Sequence, residues 1–128
     1  MQILHMGPLA HNPNLVAPSK VRSRISRLTP NELDAEGIEK QIADHANCAR
    51  LAQQAGYDGV EIIGSAGYLL STFLVEKTNQ RTALCGGCYG NRMHFPLQVA
   101  RRVRATVRVV FTVILRIAST DLLESGIS

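Results

Sequence analysis

The sequence predicts an α/β chain of three parallel strands and two main helices. Two observations carry this expectation. Short β-branched runs alternate with longer stretches of helical period, in the order strand, helix, strand, helix, strand. The last run, residues 109–117, is mostly apolar without alternation, as a strand covered on both faces requires. Right-handed crossovers make strands in this order parallel.

Gln2-Ile3-Leu4-His5 is a short strand that ends at Gly7-Pro8. Residues 10–27 show no period, and Pro13 and Pro18 interrupt them. A loop that long is functional, disordered or misassigned. Thr29-Pro30-Asn31-Glu32 has the form of a helix start: Thr29 caps, Pro30 takes the first helical position and Glu32 reaches back. That element is one turn, because Asp34 offers a second cap. Ile38, Ile42, Ala46, Ala49 and Ala52 then fall at helical spacing up to Ala55, and Gly56 is the left-handed stop. Val60-Glu61-Ile62-Ile63 is the second strand, ended by Gly64. Turn residues dominate from there through Asn79 and Gly86-Gly87, which reads as loop. The second helix spans residues 91–106, with Pro96 in its first turns, where a missing N–H matters least.

Hydrophobic residues make up 45% of the chain, enough apolar surface to exclude wholesale disorder. The net charge of +4 owes much to two clusters, Lys20, Arg22, Arg24 and Arg27, then Arg101, Arg102, Arg104 and Arg108. Such clusters admit nucleic acid, acidic lipid, an anionic cofactor or a thioester as partner. There is no Trp, and no aromatic residue interleaves either cluster, so a stacking platform for nucleic acid is not expected. The second cluster reads as the solvated face of the second helix. No basic segment precedes the first apolar stretch, and no apolar run approaches a membrane span. Three cysteines without framework spacing point to a reducing, cytoplasmic setting. His5 and His45 read as structural or solvated.

One ordered series of motifs is more specific. It runs Gly56-Tyr57-Asp58-Gly59-Val60-Glu61-Ile62, Gly67-Tyr68-Leu69-Leu70, Phe73-Leu74, Thr78-Asn79-Gln80-Arg81-Thr82, Gly86-Gly87 and Asn91-Arg92. This series resembles the Old Yellow Enzyme family of FMN-dependent reductases, and within it the branch containing bacterial 2,4-dienoyl-CoA reductase. Many ene reductases of the family carry two histidines where this chain has Ile63 and Ala66; the dienoyl-CoA branch lacks them too. Gln2 to Gly7 is similar to the family's third barrel strand, Leu15 to Ser19 to the loop after it, and Arg116 with Asp121, Leu122 and Glu124 to the end of strand five.

The resemblance implies a partial (β/α)8 barrel and specific roles. Gln2 is expected to bond the pyrimidine edge of FMN, where an amide donates and accepts at once. Arg116 is expected beside the flavin N1–O2 edge, where a permanent cation suits an anionic reduced ring. Tyr68 is expected to protonate the substrate carbon. NAD(P)H would reduce the flavin, and an unsaturated acyl thioester, or in a more general ene reductase an enone, would accept the electrons. FAD and a 4Fe-4S cluster, which the branch also uses, belong to segments outside this one. Cys85 and Cys88 occupy positions that in the family are usually an aromatic residue and a Ser, so the resemblance makes them substitutions in a Gly-Gly turn. A thioredoxin-like reading needs the first Cys at a helix start after a strand, and a metal site needs more ligands than Cys48 and His94 offer at their spacing. Pro8, Ala83, Gly90 and His94 depart from the family's residues, and the missing acids leave Arg81 and Arg92 with fewer expected partners.

A barrel of this type has eight strand–helix units and about 250 residues. Residues 1–128 are therefore expected to be an incomplete FMN-binding barrel domain, strands three to five, lacking the phosphate site and the family's second proton-relay residue, a histidine. The expected behaviour is an inactive fragment that self-associates through exposed sheet edges. A basic interaction module without catalysis is the alternative from a different class.

Overall fold

The computed structural model describes residues 1–120. Along the chain come β1 (Gln2–Ile3), a 3-10 turn (Gly7–Leu9), β2 (Val16–Ala17), β3 (Asn31–Glu32) and α1 (Ala35–Gln54). They are followed by β4 (Gly59–Gly64), α2 (Leu69–Leu74), α3 (Tyr89–Arg92), α4 (His94–Thr106) and β5 (Thr112–Ile117). The main sheet has the order β1-β4-β5 and is parallel throughout, as predicted. Asp121, Leu122 and Glu124, expected at the end of strand five, lie outside the described residues.

One face of this sheet carries the helices. Val60 and Ile62 alternate inward on β4 and meet Ala49 and Ala52 of α1 and Phe95, Val99 and Val103 of α4. The alanines add little bulk where α1 and α4 pack together. Phe73 from α2 stacks tilted on Phe95, with ring centroids 4.3 Å apart. The Asp34 carboxylate accepts from the Gly37 N–H at 2.7 Å and starts α1 where expected. Gly56 ends the helix connection with φ +87°, the left-handed conformation that favours glycine.

Four expectations need correction. Asn31 and Glu32 do not begin a helix. The N–H groups of Asn31 and Leu33 donate to Leu15 and Ala17 at 2.8 and 3.0 Å, so the segment pairs as a strand with β2. The stretch after Gly64 is not all loop, because Leu69–Leu74 forms a fully buried helix. Buried on every side and under two turns long, with the Ser71 and Thr72 hydroxyls bonded to the Tyr68 and Leu69 carbonyls, it shows no amphipathic period. The last strand begins at Thr112 rather than residue 109, and Val109 and Val110 are exposed in a turn. Nor is that strand fully buried. Val113 and Leu115 pack toward the core, whereas Thr112, Ile114 and Arg116 face the side that no described helix covers.

Arg104 also departs from the expected solvated face. Its guanidinium donates to the carbonyls of Phe111 at 2.6 Å, Val107 at 3.2 Å and Arg108, closing the end of α4 and tying it to β5. Arg101, Arg102 and Arg108 are exposed. Arg81 and Arg92 find other partners despite the missing acids. Arg81 donates to Leu33, Pro18 and Leu84 carbonyls and pairs with Glu32; Arg92 donates to Leu74 and Gly87 carbonyls.

Gly59 sets how closely β4 and β5 approach. A Cβ there would lie 2.6 Å from the Thr112 carbonyl oxygen and 2.7 Å from its Cβ. Gly59→Ala is expected to destabilise the fold by about 1–3 kcal/mol, as overpacking does. Urea unfolding measures this; a midpoint equal to that of the unsubstituted chain would contradict the close approach.

Candidate functional site

The polar residues of the main sheet meet on its open face. Glu61 points away from the helices, opposite to Val60 and Ile62. Its neighbours in register are Gln2 on β1 and Ile114 on β5, and Arg116 lies opposite Ile63. Gln2 Nε2 donates to Glu61 Oε2 at 2.6 Å. Arg116 Nε donates to Glu61 Oε1 at 2.8 Å, and Arg116 Nη2 lies 2.6 Å from the same oxygen. One carboxylate thus joins side chains from all three strands. The Gln2 hydrogen bond does most to hold the Glu61 carboxyl below the ordinary carboxylate range. Partial desolvation opposes it, and Arg116 and the chain's N-terminus reinforce it. Glu61 is only 18% exposed while Arg116 is 57% exposed, so the guanidinium remains open to a ligand.

The structure brings the expected Gln2 and Arg116 together, and it does so through Glu61, which sequence reasoning did not single out. Its signal was its parity: in Val60-Glu61-Ile62, an acid alternates with buried apolar residues at the centre of the sheet.

Tyr68 stands elsewhere, past the C-terminal end of β4. The preceding Ala66 and Gly67 both have positive φ, 58° and 75°, and turn the chain sharply before α2. A non-glycine in that region stores strain of about 1–3 kcal/mol, and such strain clusters at functional sites. The turn is well anchored. Leu69 N–H donates to the His5 carbonyl at 3.0 Å, and Ser71 Oγ donates to the Tyr68 carbonyl at 2.9 Å. Tyr68 lines a cleft of about 560 Å³ with Met6, Leu9, His11, Ile25 and Arg27. A second cleft, of about 440 Å³, shares Leu9 and Ile25 with the first and reaches Ala66 and Gly67.

Cys85 and Cys88 are free thiols with different surroundings. Cys85 is buried, with φ 65°, and burial pushes its thiol pKa up. The Asn79 side chain donates to the carbonyls of Cys85 at 2.6 Å and Phe73 at 2.7 Å, fixing this turn against α2. A thioredoxin-like pair needs a stabilised thiolate at its first cysteine, and Cys85 is the opposite.

A model of the NADH:flavin oxidoreductase / NADH oxidase family matches residues 4–128. The chain belongs to that family. A metal reductase of Desulforamulus reducens is 42% identical over 98% of this chain and 19% of its own length. An NADH oxidase of Thermoanaerobacter brockii is 33% identical over 98% of this chain and 20% of its own. The chain spans about a fifth of the length of these curated relatives. Among solved structures, a complex of 2-naphthoyl-CoA reductase with 2-naphthoyl-CoA matches 97% of this chain and 21% of that one, with TM-score 0.90 and 33% identity. Morphinone reductase matches 91% of this chain and 36% of that one, with TM-score 0.84 and 28% identity. The resemblance to Old Yellow Enzyme reductases holds, and the three-stranded sheet is part of a barrel of that type.

Two histidines, His5 after β1 and His45 on α1, are expected to make the fold acid-sensitive. His45 Nδ1 bonds the Gln41 carbonyl at 2.7 Å, so that nitrogen carries the hydrogen, and its buried Nε2 has no partner. His5 Nδ1 accepts from the Gly7 N–H at 3.0 Å. Burial lowers the pKa of both rings from the ordinary 6.5, and His45 lowers that of His5 further. The folded rings therefore take up protons at lower pH than the unfolded chain does. Their contribution is complete above pH 6.5 and is lost as the pH falls below it toward the folded values. The melting temperature is expected to fall on acidification from about pH 7 to about pH 5, the range in which histidine titrates. His5→Asn with His45→Asn keeps a polar group at each Nδ1 position and is expected to flatten that slope; an unchanged slope would contradict this assignment.

Proposed function

We propose that residues 1–128 form the middle portion of a flavin-dependent reductase barrel that reduces the activated C=C bond of an unsaturated acyl thioester, with NADH or NADPH as electron source and FMN as flavin. The observation that carries this reading is the Gln2–Glu61–Arg116 cluster on the open sheet face. Its donor set fits a flavin pyrimidine edge. Glu61 uses one Nε2 hydrogen of Gln2, and a primary amide has a second N–H and a carbonyl oxygen for such an edge. Arg116 has five N–H groups, of which Glu61 engages those on Nε and Nη2.

A bound flavin supplies the two-electron transfer from reduced nicotinamide to the double bond. The side chains of this segment then have separate tasks. Gln2 orients the ring edge, and Arg116 stabilises the negative charge that gathers there. Glu61 is a positioning residue that holds both in place. Tyr68 gives a proton to the substrate carbon beside the one reduced; its phenol is a weak acid, so its placement at the cleft matters more than its acidity.

Two observations support a thioester over an enone. One structure similar to this chain is a reductase bound to 2-naphthoyl-CoA. Ile63 is buried and apolar, and Ala66 has no polar group, so neither anchors a carbonyl as a histidine would.

The test grafts residues 1–128 in place of the matching segment of 2-naphthoyl-CoA reductase. Tyr68→Phe in that graft is expected to slow flavin reoxidation by the thioester by a factor of about 10² to 10⁴. Flavin reduction by the nicotinamide nucleotide needs no proton from Tyr68 and is expected to be unchanged. Reoxidation at an undiminished rate in the Phe variant would overturn the assignment, and a graft that binds no flavin would overturn the family reading of Gln2 and Arg116.

A further inference from the structure

The second cleft has a mixed lining. Apolar Pro8, Leu9, Ala17 and Val21 line it together with the cations Arg22, Arg24 and Lys77. These three cations come from distant stretches of the chain, the long loop before β3 and the turn after α2. Among the described residues none of them takes part in an ion pair. Like charges gathered without a counter-ion repel one another, and an anion relieves that repulsion. The Lys77 turn is also anchored: Thr78 Oγ1 donates to the carbonyls of Thr72 at 2.8 Å and Val75 at 3.1 Å, holding it against α2.

The position of this cleft gives it meaning. It shares Leu9 and Ile25 with the cleft that Tyr68 lines, and the strained Ala66-Gly67 turn borders it. A molecule with an anionic end on the three cations and an apolar arm over Pro8 and Leu9 would extend toward Tyr68. At about 440 Å³ the cleft falls within the usual range for small-molecule sites.

We propose that this cleft binds the phosphate-bearing end of the acyl thioester substrate, with Arg22, Arg24 and Lys77 as its phosphate contacts. This rests on the reading of the Tyr68 cleft as the place of reduction. Phosphate also occurs on the nicotinamide nucleotide. The apolar lining residues favour the thioester, whose phosphates are joined to the acyl group by a long, weakly polar arm, over a dinucleotide with charge and sugar along its length.

The experiment titrates the full chain with crotonyl-CoA, 3′-dephosphocrotonyl-CoA and NADPH, following amide shifts by NMR. Saturable binding of crotonyl-CoA is expected, with perturbed amides at Leu9, Arg22, Arg24, Gly67 and Lys77 and weaker binding at higher salt. Arg22→Ala with Arg24→Ala is expected to raise Kd by about tenfold or more, through loss of charge-assisted hydrogen bonds. Arg22→Lys with Arg24→Lys keeps the charge and is expected to stay within about threefold of the unsubstituted chain, a difference under 1 kcal/mol. Arg101→Ala with Arg108→Ala removes equal charge elsewhere and is expected to change little. No saturable binding, or equal weakening by the two alanine pairs, would overturn the site. Tighter binding of NADPH than of crotonyl-CoA, displaced by the Arg22 and Arg24 substitutions, would assign the cations to the nucleotide and overturn the thioester assignment. These outcomes need no flavin. Thioester binding here with an inert Tyr68→Phe comparison in the graft would remove the reduction mechanism and leave the site; a working mechanism without binding here would do the reverse.

Discussion

The Glu61 carboxylate is the interaction on which the arrangement of this molecule's polar face depends. It draws an amide from β1 and a guanidinium from β5 to one point on the central strand. Without it, two exposed, flexible side chains would sit on separate strands with nothing to set their relative position. Parallel register brings the three residues into reach, and register follows from the apolar alternation on the other face. Val60 and Ile62 must meet α1 and α4, and that requirement turns Glu61 outward. Core packing and site geometry are two consequences of the same pleat.

Much of the fold was legible because its signals were periodic or chemical. Ile38, Ile42, Ala49 and Ala52 spaced a helix, Asp34 capped it and Gly56 ended it, and each stands where expected. What escaped was decided by contacts distant in sequence. Asn31 and Glu32 had a good local capping pattern, but carbonyls at Leu15 and Ala17 claimed the backbone. Leu69–Leu74 is short and buried all round, so it has no exposed face to betray a helix. Residues 112–117 carry a composition suited to two covered faces, while in this structure one of those faces is open.

The candidate site was legible in a different way. Gln2, Tyr68 and Arg116 were singled out through family resemblance, since an isolated Gln, Tyr or Arg says nothing of flavin chemistry. The resemblance did not supply Glu61 as their organiser, nor the cleft that Arg22, Arg24 and Lys77 line together. Both depend on which strands become neighbours and where loops fold back, and neither is a property of local sequence. The same holds for Arg81 and Arg92, whose missing acidic partners are replaced by backbone carbonyls.

Under the proposed function the separation of the two polar centres has a chemical use. A cation and an amide on the strands would suit a planar anion-forming ring, while a phenol past the end of β4 lines a cleft where a substrate carbon would lie. Both centres must be held rigidly for this to work, and the strand side is held by Glu61. The most direct measurement is the titration of the Glu61 side-chain carboxyl carbon by NMR in the full chain and in Gln2→Ala. The account predicts a midpoint below the ordinary 4.5 that rises when the Gln2 amide is removed. A midpoint at or above 4.5, or one indifferent to Gln2→Ala, would contradict it.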